Sequence, residues 1–410
     1  MQQFLEESKR ISQEIATLSG ETKIKVLNQM ADALIENCDY IISNNEKDMS
    51  DATLNGLSEA LLDRLLLTGP RVEAMAQAIK EIASQKEPVG RILDGWVTPN
   101  GLNIQKVSVP IGVVGIIYES RPNVTSDTAA LCFKSGNVCV LKGGKEAQHS
   151  NSAIAYVLKQ VLAKNKIPEQ AISLLPDSSR EGVANLIKQD KYVDLIVPRG
   201  GEALIKFVSE NSTIPVVKHD KGLCHIFIDK DANHSKAIKI AVNAKCQRPG
   251  VCNAMETLLV HKDVARYILP PLYEAFMSNN TQLKGCELTR EYIDIQCATN
   301  EDYDTEYLAN TLNIKVVKNV DEAIEHIAKH GSGHSEAIIS ENYSIVTKFL
   351  NEVDAACVYA NASTRFTDGG SFGLGAEVGI STNKLHARGP MGINDLTTFK
   401  YKIYGNGQIR

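Results

Sequence analysis

The stretch Val113-Val114-Gly115-Ile116-Ile117 is a short, continuous apolar run, and a helical pattern begins soon after it, near Thr125. The same succession returns along the chain, with further apolar runs at 138–141, 171–175, 193–197, 216–217 and 224–228. Strands that are apolar along their whole length and alternate with helices are typical of parallel sheets covered by helices. The stretch therefore predicts an α/β fold.

A second set of alternating strands and helices follows the first. Its strands are predicted at 257–260, 315–317, 337–339 and 355–359. We therefore predict two stacked, doubly wound α/β domains with a boundary near residues 229–245. Residues 1–88 precede both sets and repeat apolar residues at helical spacing, so they are expected to form helices.

A hairpin is predicted between these helices and the first sheet. Extended runs at 96–98 and 102–107 flank Pro99-Asn100-Gly101, and an Asn-Gly pair favours a tight turn because both positions tolerate positive φ. An isolated hairpin is only marginally stable, so this one is expected to join another sheet, in this chain or in a neighbouring subunit. The alternating C-terminal run 397–404 is a candidate partner strand.

The composition is that of an ordinary soluble protein. The 410 residues carry a net charge of −5, and no basic patch or long apolar run indicates a nucleic acid or a membrane partner. The nine cysteines include no CxxC pair, and they predict reduced thiols and a cytoplasmic location. No metal site is expected, because Cys224, His225, His219 and His234 lack the spacing of zinc ligands.

One cysteine stands out as a candidate nucleophile. Cys252 directly follows the Pro249-Gly250-Val251 turn, and Arg248 lies four residues before it. A turn exposes the sulfur, and a nearby guanidinium favours the thiolate, which is the reactive form. The alternative is that Cys252 is a small buried apolar side chain, as most cysteines are.

Three turns are expected at the carboxyl ends of parallel strands, where such sheets bind ligands. They are residues 118–124, Leu141-Lys142-Gly143-Gly144-Lys145 and Pro198-Arg199-Gly200-Gly201. A Gly-Gly pair before a helix leaves backbone N–H groups free for an anion. The two Gly-Gly turns, with Lys142, Lys145 and Arg199, therefore predict a site for a phosphorylated cofactor, although the chain has no GxGxxG fingerprint.

Four motifs taken together resemble a known family. They are residues 113–124, Lys142-Gly143-Gly144-Lys145-Glu146-Ala147, Gln247 to Asn253, and the run from Gly373 through Ser381 to Pro390. In this order they resemble the γ-glutamyl phosphate reductase family, a branch of the aldehyde dehydrogenase superfamily. The match covers the chain from about residue 10 onward. One departure is Cys246, where the family more often has Thr.

The resemblance implies a fold and a role for each part of the chain. The fold is that of an aldehyde dehydrogenase, with two α/β domains and a small β hairpin for oligomerisation. Residues 1–95 and 112–235 would bind the cofactor, and residues 236–365 would form the catalytic domain that carries Cys252. Residues 96–111 and 395–410 would be oligomerisation elements, and the loop-rich residues 366–394 would lie near the active site.

The resemblance also implies a reaction. It is the NADPH-dependent reduction of L-glutamate 5-phosphate to L-glutamate 5-semialdehyde in proline biosynthesis, through a thioester on Cys252 and with release of phosphate. The backbone N–H of Cys252 would stabilise the oxyanions, with Asn123 or Ser120 as a second donor. Lys145 stands where oxidising relatives carry a Glu for the ribose 2′-hydroxyl, so a 2′-phosphate, and hence NADP(H), is expected.

The substrate carries a phosphate and a carboxylate, and guanidinium groups pair with both. The candidate substrate-binding residues are therefore Arg121, Arg248, Arg365, His386 and Arg388, with Lys384 beside them in the last motif. The alternative is that some of these side chains only form structural ion pairs. For Glu377 the choice between a helix cap and a site role stays open.

Two other interpretations were weighed. An oxidising NAD(P)-dependent aldehyde dehydrogenase would use a Glu to activate water, but the corresponding residues 221–225 contain none. A non-catalytic scaffold would not need an intact Cys252 or the phosphate-binding turns. A homodimer or homotetramer is expected, and the resemblance leaves open an association with glutamate 5-kinase.

Overall fold

The computed structural model describes residues 1–217 and 221–410. The chain divides into two compact units. The first comprises Met1–Lys218, Gly373–Gly379 and Pro390–Arg410, and the second comprises His219–Phe372 and Ile380–Gly389. His219, which the sequence analysis considered as a zinc ligand, lies outside the described residues.

The first unit begins with the helices that the apolar spacing predicts. They are α1 (Gln2–Ala16), α2 (Gly20–Glu36), α3 (Cys38–Leu54), α4 (Glu59–Leu65) and α5 (Gly69–Ser84). The apolar residues of α1 and α2 that repeat at helical spacing include Ile11, Ile15, Leu27 and Met30, and all four are fully buried. The amphipathic pattern therefore reflects one buried face on each helix.

The parallel sheet of the first unit has the strand order β5-β4-β3-β6. Its strands and helices, in chain order, are β3 (Val113–Tyr118), α6 (Asn123–Lys134), β4 (Val138–Lys142), α7 (Gln148–Lys164), β5 (Ile172–Leu174), α8 (Arg180–Leu186), β6 (Leu195–Arg199) and α9 (Glu202–Asn211). All residues of β3 and β4 are buried, which explains their continuous apolar runs. The strand order reverses between β3 and β6, and such a switch point is where sheets of this kind bind ligands.

An antiparallel sheet completes the first unit, in the order β1-β2-β16. It contains β1 (Ile92–Val97), β2 (Asn103–Pro110) and β16 (Thr397–Tyr404). Gly101 adopts a φ of 87° in the turn between β1 and β2, as the Asn-Gly signal predicts. The C-terminal strand β16 pairs with β2 over its whole length, which confirms the predicted pairing.

The second unit is built on a larger parallel sheet, in the order β10-β9-β11-β8-β7-β12-β13. Its strands and helices, in chain order, are β7 (Cys224–Ile228), α10 (His234–Cys246), β8 (Met255–His261), α11 (Lys262–Met277), β9 (Gln282–Gly285), α12 (Glu287–Arg290), β10 (Gln296–Cys297), β11 (Thr311–Val317), α13 (Val320–His330), β12 (Ser335–Ile339), α14 (Tyr343–Glu352) and β13 (Cys357–Ala360). The short strands β14 (Ile380–Ser381) and β15 (Gly389–Pro390) pair with each other. The parallel sheets of the two units confirm the predicted α/β fold.

The observed division of the chain differs from the predicted one at strand β7 and at the loop-rich residues 366–394, which are divided between the two units. The sequence analysis placed residues up to 235 in the first domain, whereas β7 pairs with β8 and β12 of the second unit. The predicted boundary at 229–245 is occupied largely by α10. An apolar run does not reveal which sheet it joins, because that choice depends on distant backbone partners.

Candidate active site

The proposed nucleophile lies on a turn between α10 and β8. Cys252 is half-buried there, and its carbonyl oxygen accepts a hydrogen bond from the thiol of Cys224 at 3.2 Å. Cys224 begins β7, the strand that pairs with β8. Burial raises the pKa of the Cys224 thiol well above its usual value, so this side chain stays protonated and keeps donating.

Asn253 ties the Cys252 turn to residues 363–367. Its side-chain Nδ2 donates to the carbonyl oxygens of Thr367 at 2.8 Å and Arg365 at 3.3 Å. The backbone carbonyl oxygen of Asn253 in turn accepts a hydrogen bond from Thr364 Oγ1 at 2.7 Å. Asn253 is only 5% exposed, so these bonds are shielded from water. The sequence analysis did not single out Asn253, and its place beside the cysteine was the available signal.

A chain of buried hydroxyl groups continues behind Asn253. The Oγ1 atom of Thr367 contacts Tyr359 Oη at 2.7 Å and Ser335 Oγ at 2.6 Å, and Ser335 Oγ contacts His334 Nδ1 at 2.8 Å. His334 Nδ1 lies 3.7 Å from the sulfur of Cys224. Hydrogen bonds therefore connect the Cys252 turn with Cys224 of β7 on one side and with Thr367 on the other. Such a network holds a loop in one conformation.

Arg365 is held at the edge of the same turn. Its Nε donates to Gln247 Oε1 at 2.9 Å, and Gln247 directly precedes Arg248. Burial lowers the pKa of Arg365, and the charge of Arg248 lowers it further. The structure thus brings two of the predicted substrate-binding guanidinium groups together near Cys252.

The remaining predicted cations of the second unit are paired with a carboxylate. Asp354 contacts Lys384 Nζ, and its Oδ1 lies 2.8 Å from Arg388 Nη2. These two contacts lower the pKa of Asp354. His386 is exposed and adopts a φ of 67° between them. Lys384 and Arg388 therefore each form an ion pair with Asp354.

Residues of the first unit form a second group of predicted site residues, at the carboxyl end of β3. Ser120 donates to Glu146 Oε1 through its backbone N–H at 2.7 Å and its hydroxyl at 2.9 Å. Asn123, the first residue of α6, donates from Nδ2 to Asp127 Oδ2 at 2.9 Å. Burial raises the pKa of Asp127 to about 6, while the bonds from Asn123 and Ser126 oppose the rise. Arg121 lies between Ser120 and Asn123 in this turn.

The turn after β4 contains the predicted cofactor residues. Lys142 is buried, its Nζ donates to the Ser178 carbonyl at 2.8 Å, and burial lowers its pKa. A Cβ on Gly143 would lie 2.2 Å from Asn151 Nδ2, and one on Gly144 would lie 2.2 Å from Glu146 Oε1. Both glycines thus permit close packing. Lys145 is exposed at the tip of the turn.

The turn after β6 holds an internal carboxylate. The N–H of Gly201 donates to Glu119 Oε2 at 2.9 Å, and a Cβ on Gly200 would lie 2.4 Å from the same oxygen. Arg199 Nη1 lies 3.7 Å from Glu377 Oε1, which gives Glu377 an ion-pair partner in this unit. The N–H of Gly201, at the N-terminus of α9, thus faces an anion as predicted. That anion is the carboxylate of Glu119 from the chain itself.

The described part of the chain contains neither a candidate metal cluster nor a candidate membrane-spanning helix. Within residues 1–217 and 221–410, no three or more His, Cys, Asp or Glu side chains are grouped so as to hold a metal ion. In the same residues, no helix is long and apolar enough to cross a membrane.

Comparison with known proteins identifies the class. The model of the aldehyde dehydrogenase family matches residues 1–284, so the chain belongs to this family. The resemblance drawn from the four motifs points to a particular branch of the family, and full-length relatives can test it.

Those relatives carry one name. A γ-glutamyl phosphate reductase from Aliarcobacter butzleri is 72% identical over all 410 residues of both chains, and one from Nitratiruptor sp. is 66% identical with the same full coverage. The crystal structure of the γ-glutamyl phosphate reductase from Thermotoga maritima superposes with a TM-score of 0.97, at 45% identity, and covers 100% of this chain and 99% of the other. Within the aldehyde dehydrogenases, the chain belongs to the γ-glutamyl phosphate reductase family.

Proposed function

We propose that this chain catalyses the NADPH-dependent reduction of L-glutamate 5-phosphate to L-glutamate 5-semialdehyde, with release of phosphate, in proline biosynthesis. The observation that carries the proposal is the full-length identity of 72% to a relative named for this reaction. The half-buried Cys252, on a turn held by hydrogen bonds, supports the same chemistry.

The proposed role of Cys252 is nucleophilic. Its thiolate attacks the carbonyl carbon of the acyl phosphate, a C–S bond forms, and the C–O bond to phosphate breaks as phosphate takes the electron pair. A thioester remains on Cys252. Reduction of the thioester and collapse of the thiohemiacetal then release the aldehyde and restore the thiolate.

The proposed cofactor supplies the hydride that reduces this thioester. Enzymes of the aldehyde dehydrogenase family use nicotinamide cofactors. The exposed ammonium group of Lys145, at the carboxyl end of β4, fits a 2′-phosphate and is the reason to propose NADPH. Lys142, Gly143, Gly144, Arg199, Gly200 and Gly201 are proposed to line the same site. At the turn after β6, a cofactor phosphate would have to replace Glu119 on the N–H of Gly201.

Asn123 is the better candidate for the second oxyanion donor. Both donors of Ser120 are given to Glu146. The amide of Asn123 has two N–H groups, and the bond to Asp127 uses only one of them. We therefore propose that Asn123 donates together with the backbone N–H of Cys252, and the loss of such a donor costs about 3–4 kcal/mol of transition-state stabilisation.

The oxidising alternative has no support from the relatives or from the residues. The relatives from Aliarcobacter butzleri and Nitratiruptor sp. are both named as reductases. The run 221–225, packed beside Cys252, contains no Glu that would activate water for hydrolysis of the thioester. The absence of a base at this place protects an activated intermediate from water.

The deciding experiment runs the reaction in reverse. Formation of NADPH from glutamate 5-semialdehyde and NADP⁺ is measured with and without inorganic phosphate. The proposal expects turnover only with phosphate, because phosphate must take the acyl group from Cys252. Turnover of equal rate without phosphate would mean that water resolves the thioester, and the chain would be an oxidising aldehyde dehydrogenase. Cys252→Ser should abolish turnover in either case, and Cys297→Ser, at an exposed cysteine, is the matched control.

We also propose that the chain forms a homodimer or a homotetramer through its antiparallel sheet. The strands β1 and β16 are the two edges of this sheet. The sheet exposes large apolar side chains, including Ile92, Trp96, Val97, Tyr401 and Ile403. Exposed edges and apolar patches of this kind favour association with a second copy. A monomeric mass by light scattering in fully active protein would exclude this proposal. A cytoplasmic location and an association with glutamate 5-kinase stay predictions.

A further inference from the structure

Arg365 is a half-buried cation whose position is fixed from two directions. Gln247 Oε1 accepts from its Nε at 2.9 Å, and Asn253 Nδ2 contacts its carbonyl oxygen at 3.3 Å. Gln247 and Asn253 lie at the two ends of the turn that carries Arg248 and Cys252. Because both ends of the turn bind Arg365, its guanidinium group is kept beside the turn rather than in open solvent.

The charges around Arg365 do not balance. Among the described residues, neither Arg365 nor Arg248 has a carboxylate oxygen within ion-pair distance. The nearby carboxylate of Asp368 accepts from the backbone N–H groups of Gly370 and Ser371 at 3.0 and 3.2 Å. Two neighbouring guanidinium groups repel each other, and an anion bound between them would offset that repulsion.

Lys384 and Arg388, two other predicted cations of this unit, already have a carboxylate partner. Asp354 is the ion-pair partner of both Lys384 and Arg388. An anion that approached them would have to displace a carboxylate. Among the predicted anion partners in the described part of this unit, Arg248 and Arg365 therefore remain as a pair available to an anion, and their forked donors match the geometry of phosphate oxygens.

We propose that Arg248 and Arg365 bind the phosphate group of the acyl phosphate and stabilise it as the leaving group. This assignment rests on the proposed function and names the residues that recognise one part of its substrate. As the C–O bond to phosphate breaks, negative charge grows on the phosphate oxygens, and two guanidinium groups beside Cys252 stabilise that charge. In the reverse reaction the same pair holds the attacking phosphate ion, and the sulfur of Cys252 leaves with the electron pair of the C–S bond.

The test compares the Michaelis constants of two substrates in the reverse direction. In Arg248→Ala and Arg365→Ala, KM for inorganic phosphate should rise at least tenfold, while KM for the semialdehyde changes less than threefold. Arg365→Lys should restore phosphate binding only in part, because an ammonium group lacks the fork. Arg266→Ala, on the exposed face of α11, is the matched control and should leave both constants unchanged.

The possible outcomes are distinct. Phosphate-independent turnover of the unmodified enzyme would reject the proposed function itself. Phosphate-dependent turnover, with an unchanged phosphate KM in both variants, would overturn only the assignment of this pair. A rise in KM for the semialdehyde alone would mean that the pair binds the carboxylate, which also overturns it. Arg248 is exposed, so its variant is expected to fold and is informative even if Arg365→Ala fails to fold.

Discussion

A Cβ atom on Gly222 would lie 2.1 Å from the carbonyl oxygen of Cys252 and 2.6 Å from its Cα atom. The backbone before β7 is therefore packed directly on the backbone of the proposed nucleophile. Leu223, the next residue, is held by a bond from its N–H to Ser332 Oγ at 3.0 Å. Because the obstacle is backbone and the run is held in place, a side chain at position 222 cannot be accommodated by a rotamer change.

Gly222→Ala should displace Cys252 and lower kcat. A displacement of about 1 Å at a reacting atom costs roughly 100-fold in rate. Turnover in the phosphate-dependent assay and the rate of alkylation of Cys252 measure the effect. Gly69→Ala is the matched control, because no atom lies within 4 Å of its added Cβ. Full activity of Gly222→Ala would show that the turn adjusts and that its position is not critical.

Lys145→Glu should reduce the preference for NADPH over NADH. A carboxylate at the tip of the β4 turn would repel a 2′-phosphate and accept from a ribose hydroxyl instead. The ratio of kcat/KM for the two cofactors is the measurement, and it should fall at least tenfold. Lys164→Glu, at the other end of α7, introduces the same charge and should leave the ratio unchanged. An unaltered ratio in Lys145→Glu would count against the proposed cofactor contact.

Asn253→Ala should loosen the Cys252 turn without altering the thiol itself. It removes two hydrogen bonds to buried carbonyl groups, and each lost buried partner costs about 1–3 kcal/mol of the free energy of unfolding. We expect a lower kcat together with a near-normal KM for NADPH. Asn279→Ala, which removes one exposed bond to a helix carbonyl, is the matched control for stability. Unchanged kcat and unfolding midpoint would exclude a positioning role.

The stability of the chain should fall in acid partly because of His326. Burial lowers the pKa of His326 to about 2, and the neighbours His225, Lys315 and His330 lower it further. The unfolded chain therefore binds a proton below about pH 6.5 that the folded chain does not, so the free energy of unfolding is highest above that pH. It should decline by up to about 1.4 kcal/mol per pH unit for this residue.

The measurement is urea unfolding between pH 7.5 and pH 5. His326→Gln cannot take up a proton, so its stability should depend less on pH than that of the unmodified chain. His149→Gln, at an exposed position, should keep the original slope. Equal slopes in all three proteins would assign the acid sensitivity to other groups.

Local sequence was enough to find the motif Gln247 to Asn253, but it did not predict which distant residues contact that motif in the fold. A Pro-Gly turn before a cysteine is a local signal, and the structure places Cys252 on a turn as expected. The turn precedes the amino end of β8, so the rule that ligands bind at the carboxyl ends of strands would have missed it. The contacts of Arg365 and Asn253 join positions more than a hundred residues apart, and periodicity carries no such information.

At the predicted phosphate-binding turns, the sequence indicated the turn but not its hydrogen-bond partners. Both Gly-Gly pairs lie in turns ahead of helices, as predicted, and a Cβ on Gly143, Gly144 or Gly200 would clash with a neighbouring side chain. The sequence could not indicate that Glu119 would accept from the N–H of Gly201, or that Glu146 would accept from Ser120 in the turn after β3. A helix N-terminus attracts any nearby anion, and a carboxylate of the chain competes with a ligand there.

By itself, the sequence determined the α/β class, the hairpin with its C-terminal partner strand, the family and the candidate nucleophile. These follow from local periodicity, turn residues and contiguous motifs, which depend on few neighbours. Only the tertiary structure decided that β7 joins the second sheet, that Asp354 pairs with Lys384 and Arg388, and that Arg365 lies beside Arg248. Those outcomes depend on which distant groups meet when apolar faces are buried, and no local pattern encodes that choice.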